Sequence, residues 1–123
     1  MTIAVAIDHV QIAIPAGGEP EGRRYFTDLL GLIEIPKPAV LAVRGGCWFA
    51  IGNQQIHLGV NPDFSCAKKA HIALNVDNLD AMRQRLEAAG FVVQYDAAQK
   101  SIFFSEDPFG NRMEFVEKGA ENA

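Results

Sequence analysis

A chain of 123 residues, 49% of them apolar, is the right length for one compact domain and apolar enough to fill a core, since domains typically hold ~100–150 residues. Its formal charge of −4 leaves no basic face of the kind that neutralises phosphates, which excludes a general nucleic-acid binder. Apolar runs are short and broken by charges, far below the ~20 residues that span a bilayer.

Met1 leads directly into IAVAIDHVQIAI, with no basic n-region and no small-residue cleavage site, so a cytoplasmic protein is expected. Cys47 and Cys66 lack metal-type spacing and are expected as free thiols. A small-molecule or protein partner is expected, with no nucleic acid and no membrane.

The first predicted strand covers Asp8 to Ile14, followed by a Gly- and Pro-rich loop from Pro15 to Glu19. A helix is expected from about Pro20 to Leu30. Pro20 suits its first turn, Glu19 and Glu21 favour the positive N-terminal end, and Gly31 is placed to stop it. Three strands should follow, roughly Ala39 to Val43, Cys47 to Ile51 and Gln55 to Val60, with Gly45-Gly46 and Gly52-Asn53 as turns. Asn61 to Ala70 reads as a linker.

The second half repeats this order. A strand from His71 to Val76 precedes a helix from about Asn78 to Ala89, capped by Asp77 and ended by Gly90. Strands then follow at about Val92 to Asp96, Ser101 to Ser105 and Arg112 to Glu117, the last two joined by the turn Asp107-Pro108-Phe109-Gly110-Asn111. Each half is β-α-β-β-β, an internal duplication.

The duplication places chemistry in register. His9 and His71, 71 − 9 = 62 positions apart, open the first strand of their halves, and His57 and Glu114 lie in the fourth. Side chains alternate across a strand. His9 therefore points away from Val10 and Ile12, His57 from Ile56 and Leu58, His71 from Ile72 and Leu74, and Glu114 from Met113 and Phe115. The apolar faces suit coverage by the two helices, while the other faces carry imidazoles and a carboxylate. Those donors suit Zn²⁺, Ni²⁺, Mn²⁺, Fe²⁺ or Co²⁺. Taken singly, each of these residues reads as a solvated polar side chain, and only the matched placement points to a shared site. Lys68-Lys69 reads as a solvated linker pair, with attraction of an anionic substrate as the alternative. Trp48, Phe49, Phe103 and Phe104 read mostly as core, with lining of a pocket as the alternative.

DHVQIAI, the Tyr25-Phe26 helix ending in LLGL, AHIALNV and DPFGNRMEFVE together resemble the vicinal oxygen chelate superfamily, across about Ile7 to Glu117. The resemblance implies an α+β fold: one glyoxalase-like domain of two βαβββ half-modules, 7–60 and 71–117, forming a curled mixed sheet with helices on its outer face. It implies a homodimer whose sites draw on one or both subunits. It carries metal-ligand roles onto His9, His71 and Glu114, with His57 as a fourth, and a proton-transfer role onto Glu114. Lewis-acid chemistry on adjacent substrate oxygens would follow.

Glyoxalase I enzymes usually hold a carboxylate where this chain has His57. The expectation is therefore a divalent-metal-dependent glyoxalase-like lyase, isomerase or related transferase acting on a small oxygenated metabolite. The alternatives are a sequestering protein of the bleomycin-resistance type and a non-haem Fe(II) ring-cleavage dioxygenase.

Overall fold

In the computed structural model, residues 1–119 are described, and the chain divides into two compact units at Ser65 and Cys66. The first unit contains β1 (His9–Ile14), α1 (Glu19–Arg23), β2 (Ile33–Ile35), α2 (Ala39–Ala42), β3 (Cys47–Ile51) and β4 (Gln54–Val60). Its four strands form one mixed sheet in the order β1-β4-β3-β2, with β1 parallel to β4 and the other pairs antiparallel. The second unit contains β5 (His71–Val76), α3 (Leu79–Ala88), β6 (Gln94–Tyr95), β7 (Ile102–Glu106) and β8 (Arg112–Glu117). Its order is β5-β8-β7-β6, again with the outer β5 parallel to β8. The two sheets thus share one order, as the duplication expected from sequence requires.

Each unit has its own core. In the first, Phe26 stacks on Phe49 with ring centroids 5.5 Å apart, beside buried Ile14, Tyr25, Ile56 and Leu58. In the second, Phe103 packs on Phe115 at 5.1 Å, beside Leu74, Leu79, Met82, Leu86 and Met113. Every strand that bears a candidate ligand therefore has its opposite face anchored in apolar packing. Fully burying such a side chain contributes roughly 1.5–3 kcal/mol.

Four local expectations need correction. The helix expected from Pro20 to Leu30 starts at Glu19 and changes character at Arg24, running to Leu29 as a π-helix. The Leu30 N–H donates to the Tyr25 carbonyl at 2.9 Å, a five-residue step that rewinds the turn around two consecutive buried aromatics, Tyr25 and Phe26. Gly31, at φ 84°, then ends it.

The strand expected at Ala39 to Val43 is instead the single turn α2, with Val40 and Val43 exposed. Its place at the sheet edge belongs to β2, where Glu34 lies opposite Phe49, so the apolar run has no ladder to join.

The predicted strand at Val92 to Asp96 pairs only at Gln94–Tyr95, because the Val92 carbonyl instead accepts the Ser105 hydroxyl at 2.7 Å. The cap of α3 is Asn78 rather than Asp77: the Asn78 Oδ1 accepts the Ala81 N–H at 3.0 Å. Glu117, from the end of β8, accepts the Leu79 N–H at 2.8 Å and ties the same helix start to the sheet. Asn78→Ala is expected to cost about 1 kcal/mol, readable as a lowered urea midpoint at unchanged slope.

Cys47 is buried and Cys66 partly so, and both are free, as expected. Burial pushes the Cys47 thiol up to about 11, so it stays protonated and unreactive at neutral pH. Among the described residues no helix is long and apolar enough to cross a membrane.

Candidate functional site

The four candidate ligands form two pairs, one on the polar face of each sheet. In the first unit, Gln11 of β1 and Trp48 of β3 flank His57 of β4 in the register. The imidazole of His57 is sandwiched. Trp48 stacks on one side at 4.0 Å between centroids and 5° between planes, and His9 on the other at 4.0 Å and 15°. Only 5% of His57 is exposed, far from the solvated ring its polar-face position alone suggests.

The ring nitrogens of the pair are committed differently. His9 Nδ1 donates to the Asp8 carboxylate at 2.9 Å, which leaves Nε2 of the neutral ring as an acceptor. His57 uses its Nε2, which donates to Gln55 Oε1 at 2.8 Å, leaving Nδ1.

Desolvation chiefly, then the neighbouring His9, holds His57 below its ordinary value of 6.5, with Asp8 opposing and Lys37 adding to the lowering. The unfolded chain then binds a proton more readily than the folded one, so stability rises with pH. This contribution is complete above about pH 6.5 and is lost as the pH falls through the lower folded value. Urea unfolding at pH 5 and pH 7.5 should show acid destabilisation that is smaller in His57→Phe.

In the second unit, His71 of β5 and Glu114 of β8 meet directly, with Nε2 to Oε1 at 2.8 Å. His71 Nδ1 lies 2.9 Å from the Lys69 carbonyl. A carbonyl only accepts, so Nδ1 carries the hydrogen, and an unprotonated Nε2 would present a lone pair to a carboxylate that is itself only an acceptor. Two acceptors at that distance need a cation between or beside them: a proton, or a metal. His9 and His71 therefore share an arrangement in which Nδ1 is held from behind by an oxygen and Nε2 is turned forward. Fixing the tautomer through the second nitrogen is how protein-bound metals hold their histidines, so the donor set fits a divalent ion. Among the described residues no three His, Cys, Asp or Glu side chains stand together in a metal-holding group; within each unit the candidates come in twos.

The equivalence extends to two of the four aromatics that sequence reasoning read mostly as core. Trp48 lies opposite His57 and Phe104 opposite Glu114, the same register position in each unit. Phe49 and Phe103 are fully buried, whereas Trp48 and Phe104 are half-buried on the ligand-bearing faces. Phe104 meets the His71 ring edge-on at 5.9 Å. Strand alternation within CWFAI and IFFSE held the signal, since of two adjacent aromatics only one can face the core.

A family model describing the glyoxalase/bleomycin resistance protein/dioxygenase superfamily matches residues 6–115. The chain belongs to this superfamily. Among solved structures, a Bacillus anthracis protein assigned to the glyoxalase family is 46% identical, with a TM-score of 0.88 over 95% of this chain and 98% of that one. Lactoylglutathione lyase from Agrobacterium tumefaciens is 20% identical, with a TM-score of 0.67 over 95% of this chain and 96% of that one. The E126Q mutant of the fosfomycin resistance protein FosX from Listeria monocytogenes, complexed with Mn(II) and 1S,2S-dihydroxypropylphosphonic acid, is 12% identical. Its TM-score is 0.79 over 94% of this chain and 93% of that one. The last two likenesses speak for the shared fold. No curated protein matches the chain. For a glyoxalase-superfamily chain, two four-stranded βαβββ units are the expected architecture.

Proposed function

We propose that the protein is a divalent-metal-dependent glyoxalase-like enzyme, a lyase, isomerase or related transferase that acts on a small oxygenated metabolite. The supporting observation is the His71–Glu114 pair, in which Nδ1 is held by the Lys69 carbonyl while Nε2 lies 2.8 Å from a carboxylate oxygen. In this reading His9, His57, His71 and Glu114 hold the metal, and the protein works in the cytoplasm as a homodimer of single glyoxalase-like domains. Imidazole and carboxylate donors suit zinc, nickel, manganese, iron or cobalt. The bound metal would supply Lewis-acid polarisation of adjacent substrate oxygens. Glu114, as a loosely held ligand, would take a proton from the substrate and return it. The half-buried Trp48 and Phe104 rings flank the pairs.

A sequestering protein without catalysis is the second reading, and His57 favours it. Its ring is packed between His9 and Trp48 and its Nε2 is spent on Gln55, as in a settled structural cluster. Metal analysis of untagged protein beside His71→Ala separates the two. Stoichiometric metal in the unmodified protein, lost in the variant, supports the enzyme. Metal-free protein that still binds metabolites after chelation supports sequestration.

A further inference from the structure

We propose that Arg112 recognises a carboxylate on the substrate, at a groove of the second unit lined by Phe104, whose ring also touches His71. The groove has a volume of about 800 Å³, and Lys68, Phe91, Val92, Tyr95, Phe104 and Arg112 are among the residues that line it. That is the size of a pocket for a small organic ligand. The inference rests on the enzyme reading only in treating the neighbouring His71–Glu114 pair as the reacting centre.

The guanidinium of Arg112 lies over the Phe104 ring, 4.3 Å from its centroid. Stacking fixes the plane of a guanidinium while leaving its edge donors open to a planar, two-oxygen acceptor. Among the described residues, Arg112 makes no ion pair, and neither does Lys68. A partly shielded arginine resting on an aromatic ring in a groove, with its donors unspent, is built to receive an anion. Location supplies the link to the chemistry. Arg112 is the register partner of His71 across the β5–β8 pair, and the ring that supports Arg112 also touches His71.

Three acids also line the groove. Asp107 is buried and accepts the Phe109 and Asn111 amides, both at 2.9 Å. Asp96 accepts the Ala98 and Gln99 amides. Both are engaged in their own loops. Glu106 is the cross-strand partner of Arg112 yet makes no ion pair with it. Its charge opposes a second negative charge beside Arg112, so a singly charged carboxylate is favoured over a dianionic phosphate or phosphonate.

Calorimetric titration of purified protein with benzoate, benzamide and phenylphosphonate tests this, before and after chelation. Benzoate should bind about tenfold or more tighter than its neutral isostere benzamide, the range expected of hydrogen bonds to a charged group. Phenylphosphonate should bind no tighter than benzoate. Arg112→Gln should abolish the benzoate preference, and Arg112→Lys, a point charge without the planar fork, should restore only part of it. If Arg112→Gln does not fold, Phe104→Leu keeps the charge, removes the stack and should reduce the preference severalfold.

Equal response to benzoate and benzamide, including none to either, overturns the proposal, as does a preference unchanged in Arg112→Gln. Tighter binding of phenylphosphonate overturns selection for a single charge. A benzoate preference in protein that retains no metal leaves Arg112 standing and defeats the metal reading; retained metal without the preference does the reverse.

Discussion

Glu114→Gln is expected to weaken the binding of Mn²⁺ or Zn²⁺ by about 100-fold or more, with little loss of fold. Changes to groups that merely orient a metal's ligands typically cost 10–100-fold, and here the charged donor itself is removed. The amide keeps the shape of the carboxylate but brings no charge, and it can donate an N–H to His71 Nε2, which satisfies that lone pair without any cation. The variant should therefore lose metal while its metal-free unfolding midpoint stays close to that of the unmodified protein. His71→Ala should match it in metal affinity. Asp8→Asn, which acts only through the orientation of His9, should cost less. Competition titration against a chromophoric chelator reads all three. Unchanged affinity in both Glu114→Gln and His71→Ala would show that the pair is an ordinary hydrogen bond.

The largest stability effect is expected at Asp107, in the turn that delivers Arg112 and Glu114 to their face. This carboxylate is 4% exposed and gathers the Phe109 N–H, the Asn111 N–H and the Asn111 Nδ2, the last at 2.8 Å. The Asn111 carbonyl in turn accepts the Asp107 N–H at 2.9 Å, closing the loop. Burial pushes the Asp107 carboxyl up, and the hydrogen bonds it accepts oppose that. Asp107→Ala removes the acceptor for three donors in a part-buried turn, and leaving such groups unmatched costs ~1–3 kcal/mol each before the loop relaxes. A net loss of about 3 kcal/mol is expected, seen as a lowered urea midpoint. Metal affinity should fall as well, because β8 would begin from a loosened turn. Asp107→Asn, which keeps the volume and one acceptor oxygen, should lose less. A midpoint for Asp107→Ala close to that of the unmodified protein would mean the turn is held by its backbone alone.

How much of this was legible beforehand differs by feature. The 62-residue offset between His9 and His71 and the DPFGN turn carried the duplicated topology, because register and turn chemistry are local in sequence. Strand alternation was enough to put His71 and Glu114 on one face, and the structure brings them within 2.8 Å. Alternation could not show that His57 is enclosed, since the covering rings come from neighbouring strands and depend on cross-strand register. It also misjudged Ala39 to Val43. An apolar run rich in valine looks like a strand, but a strand needs an edge to pair with, and Ile33–Ile35 had already taken it. The π-winding at Arg24–Leu29 answers to tertiary packing of Tyr25 and Phe26, which no local pattern announces. The one-residue shift from Asp77 to Asn78 as cap of α3 is of the same kind: both side chains can cap, and backbone geometry decides.

The central claim is that His71 and Glu114 face each other in order to share a metal ion. Anomalous diffraction from crystals grown with Mn²⁺ or Co²⁺ tests it directly. The claim predicts a strong anomalous peak within coordination distance of His71 Nε2 and a Glu114 oxygen, with His71 Nδ1 still on the Lys69 carbonyl. A map with no peak at this pair, in protein saturated with the metal, would contradict it.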